Sequence, residues 1–224
     1  MNTVNRTSFM TRPSLKTWCG NQTMLEAHML AAERGGQRLF SDISFSLQDG
    51  DLLHVAGSNG AGKTTLLRML CGLTLPAEGE VRWQQQPIQT NRDRYNEDLL
   101  YIGHRGGMYS DLNACENLRL CSNQVVSSPL IYSALEEVGL SSHCNKPLRL
   151  LSQGQQRRVA LARLLLESRK LWILDEPLTA LDTSAVEWFA GRLATHIERG
   201  GMALVTTHQD ATFISQVTLN VVLG

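Results

Sequence analysis

The run GSNGAGKTT, from Gly57 to Thr65, reads Gly57-x-x-x-x-Gly62-Lys63-Thr64. Glycines at such a turn let successive backbone N–H groups, here from Gly57, Ser58, Asn59, Gly60, Ala61 and Gly62, converge on phosphate oxygens. The helix N-terminus that follows favours an anion. Lys63 is suited to the β- and γ-phosphates of a nucleoside triphosphate, the Thr64 hydroxyl to Mg²⁺, and Thr65 extends the same run. Downstream, LWILDEP (Leu171 to Pro177) ends an apolar run in two carboxylates. Asp175 is suited to hold Mg²⁺, through water, and Glu176 to polarise an attacking water. His208 directly follows ALVTT. If that strand lies beside LWIL, the imidazole can hydrogen-bond a γ-phosphate and keep Glu176 and the water in line. A histidine that merely closes a strand is the plain alternative.

The surrounding pattern supplies the elements such a site needs. The apolar run LLHVAG leads into the glycine loop, and Lys63 to Leu70 reads as a helix, the context in which the loop is credible. Upstream, Phe40, Ile43, Phe45 and Leu47 indicate strands; Gly79 to Ile88 and Leu99 to Ile102 predict two more. From about 106 to 150 the pattern turns helical, and an inserted helical lobe is expected there. Asn113 with Glu116 forms a capping box, Ser128-Pro129 opens a second helix, and Gly139 closes it. Ser152 begins a helix with Val159, Ala162 and Leu166 on one face, and Ser184 to Arg199 predicts another with Val186, Phe189, Leu193 and Ile197. Met202 to His208 is a core strand, and VTLNVVLG closes the chain. The expected class is α/β, a mainly parallel sheet with helices on both faces, preceded by N-terminal antiparallel strands.

Composition narrows the class further. The chain has 224 residues, with 21 Lys+Arg against 21 Asp+Glu, so no global field favours nucleic acid. The five cysteines occur at irregular spacings without a C-x-x-C, which gives zinc, redox and covalent haem sites no support. No apolar run reaches the ~18 residues that span a bilayer. Residues 1–23 carry Arg6, Arg12 and Lys16, many hydroxyls and no acid, and are expected to be a disordered extension outside the fold. A transit peptide, or extra residues upstream of a start at Met24, would read the same way.

Taken in order, Gly57 to Thr65, LSQGQ (Leu151 to Gln155), LWILDEP, TALD (Thr179 to Asp182) and His208 resemble ABC-type ATPase domains, from about residue 24 to 224. That resemblance implies a P-loop NTPase with a RecA-like core, ATP and Mg²⁺ as cofactors, and a head-to-tail homodimer with two ATP molecules at its interface. Ser152, Gly154 and Gln155 would meet the γ-phosphate held by the other subunit, and Asp182 would cross the interface. ERGGQRLFSDISFSL, LLYIGH and QGQQRRVALARL resemble more narrowly the ATP-binding subunits of cytochrome c maturation haem exporters. The implied protein sits peripherally on the cytoplasmic face of the inner membrane, hydrolyses ATP and drives haem export or release through integral membrane subunits. Haem itself need not touch the chain.

Two positions depart from the wider family. Arg34 stands where an aromatic side chain usually stacks on adenine, and a guanidinium can also stack; a plain surface charge is the alternative. His104, in YIGHRGG, stands where a glutamine usually contacts Mg²⁺ and the attacking water. An ABC ATPase for another substrate, or an assembly factor that releases a partner without transport, would carry the same residues. A GTPase would need N-K-x-D, which Asn145-Lys146-Pro147-Leu148 does not provide.

Overall fold

Five-residue stretches such as Leu171–Asp175 and Met202–Thr206, buried at every position, need cover on both faces, and that requirement sets the layers. The computed structural model describes residues 4–6, 24–104, 106–122, 126–207 and 217–223. The first half holds β1 (Val4–Arg6), β2 (Leu25–Arg34), β3 (Gln37–Leu47), β4 (Leu52–Gly57), α1 (Lys63–Leu70), β5 (Glu78–Trp83) and β6 (Gln86–Pro87). After α2 (Arg92–Asp98) and β7 (Leu99–Ile102) come α3 (Ala114–Cys121) and α4 (Ser128–Glu137). The second half holds α5 (Gln153–Leu166), β8 (Leu171–Asp175), α6 (Thr183–Glu198), β9 (Met202–Thr206) and β10 (Leu219–Leu223).

One sheet runs β1-β10-β4-β9-β8-β7, parallel except for β1. The other, β3-β2-β5-β6, is antiparallel. α1 lies between them, its Leu66, Leu67 and Leu70 sharing one core with Leu25 and Phe45 of the antiparallel sheet and Leu53 and Ile173 of the parallel one. On the opposite face, Leu161 and Leu164 of α5 and Phe189 and Leu193 of α6 cover Trp172, Leu174 and Val205. This is the α/β P-loop architecture that the strand–loop–helix pattern predicts.

Several details differ from the expectation. Val4–Arg6, within the stretch left out of the fold, pairs antiparallel with β10 and covers what would otherwise be a sheet edge; the remainder of 1–23 is outside the described residues. The expected strand over Gly79 to Ile88 is a hairpin. Trp83 pairs with Gln86, and Gln84 and Gln85 adopt φ of 50° and 67°. A two-residue turn of this kind normally announces itself with Asn or Gly, so glutamines conceal it. α2 was invisible to periodicity because only Tyr95 of its residues is buried; the phenol donates to the Leu70 carbonyl at 2.6 Å. Ser127, rather than Ser128, caps α4. α6 starts at Thr183 on an Asp182 cap.

The helical lobe has its own core, in which Leu118, Ile131, Leu135 and Leu148 meet Val159 and Ala162 of α5. α5 therefore serves two cores from two faces, where the sequence suggested one stripe. Asn117 is fully buried, taking the Tyr109 N–H at 2.7 Å and donating to the carbonyls of Tyr109, Leu112 and Asn113. It ties the lobe's entry loop to α3.

His196 of α6 stacks on Trp172 with ring centroids 3.7 Å apart, and its Nε2 lies 3.1 Å from the Met202 carbonyl. Burial lowers its pKa from 6.5 to about 4, against the smaller opposing effect of that carbonyl. The neutral ring therefore contributes stability in full above about pH 6.5, and that contribution is lost as the pH falls towards 4, on the order of 3 kcal/mol. Urea denaturation across that window should show the wild-type unfolding free energy falling more steeply than that of His196→Gln, by the uptake of about one proton.

Candidate functional site

Parallel strands deliver their carboxyl ends to one edge, and here β4, β8 and β9 bring Gly57, Asp175 and Thr206 together. From Gly57 the chain turns through residues 58–62 into α1. Gly62 caps the helix at φ 99°, and a Cβ there would lie 2.9 Å from the Phe40 ring, so only glycine fits. No side chain caps α1, and its first turn holds no acid, which leaves its N–H groups to an external anion. Lys63 is 6% exposed, and its ammonium donates to the carbonyls of Gly57 at 2.7 Å and Ser58 at 3.2 Å. With three protons and two protein acceptors, it retains a donor for a phosphate oxygen. A buried ammonium beside an uncapped helix start fits a triphosphate.

Asp175 is 1% exposed and both its oxygens are engaged. Thr64 Oγ1 donates to Oδ2 at 2.8 Å, and Thr206 Oγ1 donates to Oδ1 at 2.9 Å. Among the described residues, no group of three or more His, Cys, Asp or Glu is arranged to hold a metal. A cation here would rest on Thr64, Asp175, phosphate oxygens and water, the sparse hard-oxygen set that suits Mg²⁺.

Glu176 takes φ 50°, a left-handed conformation that costs a non-glycine residue about 1–3 kcal/mol. Its N–H donates to Thr206 Oγ1 at 2.8 Å. The carboxylate is 16% exposed, and its Oε2 lies 3.6 Å from His104 Nδ1. The structure thus brings the unusual His104 directly to Glu176. His208 is outside the described residues. Arg34 is exposed at the tip of the β2–β3 hairpin, opposite Gln37, on the hairpin whose Phe40 packs against Gly62.

LSQGQ forms the start of α5. Ser152 Oγ accepts the Gln155 N–H at 3.2 Å, and Gln155 Oε1 accepts the Ser152 N–H at 3.0 Å. This capping box preorganises the turn. Gly154 has an intrachain reason as well: a Cβ would lie 2.4 Å from the Ala180 carbonyl in TALD. Asp182 caps α6 through the Ala185 N–H at 2.9 Å and lies 3.9 Å from Arg158. The Ala185 N–H and the Ser184 hydroxyl hold its carboxyl below the usual carboxylate range.

Two side chains of the site escape a motif search. Thr206 links Asp175 to the Glu176 backbone, and its only signal was a polar residue closing an apolar strand. Arg157, one turn into α5, is 6% exposed and donates to the carbonyls of Asp175, Pro177, Gly103 and His104. Burial lowers its pKa to about 10, against the raising influence of Asp175 and Glu176, so it stays charged at neutral pH.

A family model for the ABC transporter matches residues 40–179. The chain belongs to that family. It is 47% identical over 204 residues to the cytochrome c biogenesis ATP-binding export protein CcmA of Dechloromonas aromatica, covering 90% of this chain and 100% of the relative. The CcmA of Escherichia coli K12 is 49% identical over 186 residues, 83% and 89% of the two chains. Among solved structures, an ATP-binding subunit of an ABC transporter is 26% identical with a TM-score of 0.78, covering 90% of this chain and 86% of that one. A dimeric ATP-binding cassette in a post-hydrolysis state with ADP and Pi shares the fold at a TM-score of 0.77 and 23% identity, over 89% of this chain and 94% of that one. The chain is thus an ABC-type ATPase with CcmA relatives, as the motif order implied.

In this ABC ATPase, Thr206→Val should leave Asp175 Oδ1 and the Glu176 N–H without their shared partner, at about 1–3 kcal/mol of unfolding free energy. Thr206→Ser should stay near wild type. Chemical denaturation of both variants measures the difference.

Proposed function

We propose that two copies of this chain, arranged head to tail, hydrolyse ATP to drive haem export or haem release during cytochrome c maturation. The observation that carries the catalytic part is the hydrogen-bonded series Thr64–Asp175–Thr206–Glu176 at the mouth of the glycine loop. The CcmA relatives, ATP-binding export proteins of cytochrome c biogenesis, support the biological part.

Residues 57–62 and Lys63 bind the triphosphate, with Thr65 continuing the contacts at the start of α1. Thr64 and Asp175 would hold Mg²⁺, which when bound supplies positive charge against the phosphates. Glu176 accepts the proton of the attacking water, a role suited to a carboxylate fixed by its backbone at a strand end. His104 stands beside that carboxylate and orients the same water; His208 hydrogen-bonds the γ-phosphate. The partner's signature turn, built like Ser152, Gly154 and Gln155 here, closes over the phosphate with its helix N-terminus. Asp182 faces the other subunit's loop, and Arg34 stacks on adenine. Among the described residues no helix is long and apolar enough to cross a membrane. The proposal gives the crossing, and haem, to integral membrane subunits, with this chain peripheral on the cytoplasmic face of the inner membrane.

Glu176→Gln should abolish phosphate release yet form an ATP-dependent dimer in size-exclusion chromatography; wild-type turnover in that variant would reject the assignment. Lys63→Ala should lose ATP binding itself, because each charge-assisted phosphate contact contributes about 1.5–3 kcal/mol. Capture of the tagged chain from detergent extracts should bring down integral membrane proteins and a haem absorbance band. Membrane partners that carry a different cargo and no haem would retain the ATPase but reject the haem assignment.

A further inference from the structure

A buried guanidinium has to satisfy a planar fork of donors, and among the described residues Arg157 does so with backbone carbonyls. Its Nε donates to Pro177 O at 3.1 Å and one terminal nitrogen to Asp175 O at 2.7 Å. The other reaches Gly103 O at 2.9 Å and, at the limit of hydrogen bonding, His104 O at 3.5 Å. These acceptors are not scattered. Asp175 and Pro177 flank Glu176 on either side, and the other two are His104 and the residue before it. Glu176 is also a non-glycine residue with positive φ, so its conformation needs external support. Thr206 supports its N–H from β9, and Arg157 supports the carbonyls before and after it from α5.

We propose that Arg157 is a positioning residue for ATP hydrolysis, which sets the Glu176 carboxylate and the His104 imidazole relative to each other by clamping the backbone of both. The clamp rests on the reading of Glu176 as the base. Its location adds a consequence. Arg157 sits on the helix that begins with the Ser152–Gln155 capping box, so a shift of that turn on meeting the other subunit's phosphate is transmitted to the carboxylate of its own site. Lysine keeps the charge and most of the stem, but its donors share one nitrogen and do not reproduce the fork that reaches all four carbonyls.

The test compares Arg157→Lys and Arg157→Met in the full-length chain. Steady-state ATPase rates give kcat and KM, calorimetry gives the MgATP dissociation constant in a Glu176→Gln background, and thermal denaturation reports folding. The clamp predicts a kcat lowered by roughly 10²-fold in Arg157→Met, as expected of a displaced catalytic group. Arg157→Lys should recover only part of that loss, with MgATP affinity within about twofold of the parent in both. Should Arg157→Met fail to fold, Arg157→Lys carries the test: a lowered kcat at unchanged affinity and melting temperature supports the clamp. A wild-type kcat in Arg157→Lys, or losses of kcat and affinity that track the melting temperature, overturns it. The Glu176→Gln parent separates the two claims, since turnover in it rejects the base whatever Arg157 does.

Discussion

Asp175 ends a strand that is buried at every position, and a carboxylate in such a place is costly unless its oxygens are hydrogen-bonded. Thr64 satisfies one oxygen and Thr206 the other. The first bond ties the strand end to the helix that follows the glycine loop; the second ties it to the neighbouring strand. The phosphate loop, the carboxylates and the end of β9 are therefore held in one register by one buried group. Parallel pairing makes this possible, because it is the only arrangement that brings the carboxyl ends of β4, β8 and β9 to the same edge.

A second set of contacts extends the site across α5. One face of this helix packs into the core under the parallel sheet and the other into the core of the helical lobe. Its first turn is capped internally and approaches the Ala180 carbonyl so closely that position 154 has no room for a side chain. Arg158 from the same helix reaches towards Asp182, and Arg157 holds the chain on both sides of Glu176. Packed interiors transmit displacement rather than absorb it. A helix so placed links the turn that the proposal sets against a second subunit to the carboxylate that would activate water.

Much of the fold was legible from local pattern. The boundaries of α1 and β7, the capping box at Asn113, the start of α5 after Ser152 and the closure of α4 before Gly139 all follow from residue chemistry within a few positions. What stayed hidden has identifiable causes. α2 is charged around a single buried tyrosine, so no period exists to read. The β5–β6 turn uses glutamines where positive φ usually selects glycine or asparagine. β1 is too short for alternation, and its partner lies at the other end of the chain.

The site divides in the same way. Residue type and spacing point to the glycine loop and the paired carboxylates, and the family resemblance points to LSQGQ, because each is a contiguous run that acts through its own backbone or through neighbours a few residues away. The link from Thr206 to Asp175 spans 31 positions and that from Arg157 to Gly103 spans 54, so no local pattern encodes either. The approach of His104 to Glu176 is likewise a product of packing β7 beside β8. Chemistry carried by contiguous residues was written in the chain; the support that aims it exists only once distant strands and α5 have packed, since hydrogen bonds depend on proximity in space and not along the sequence.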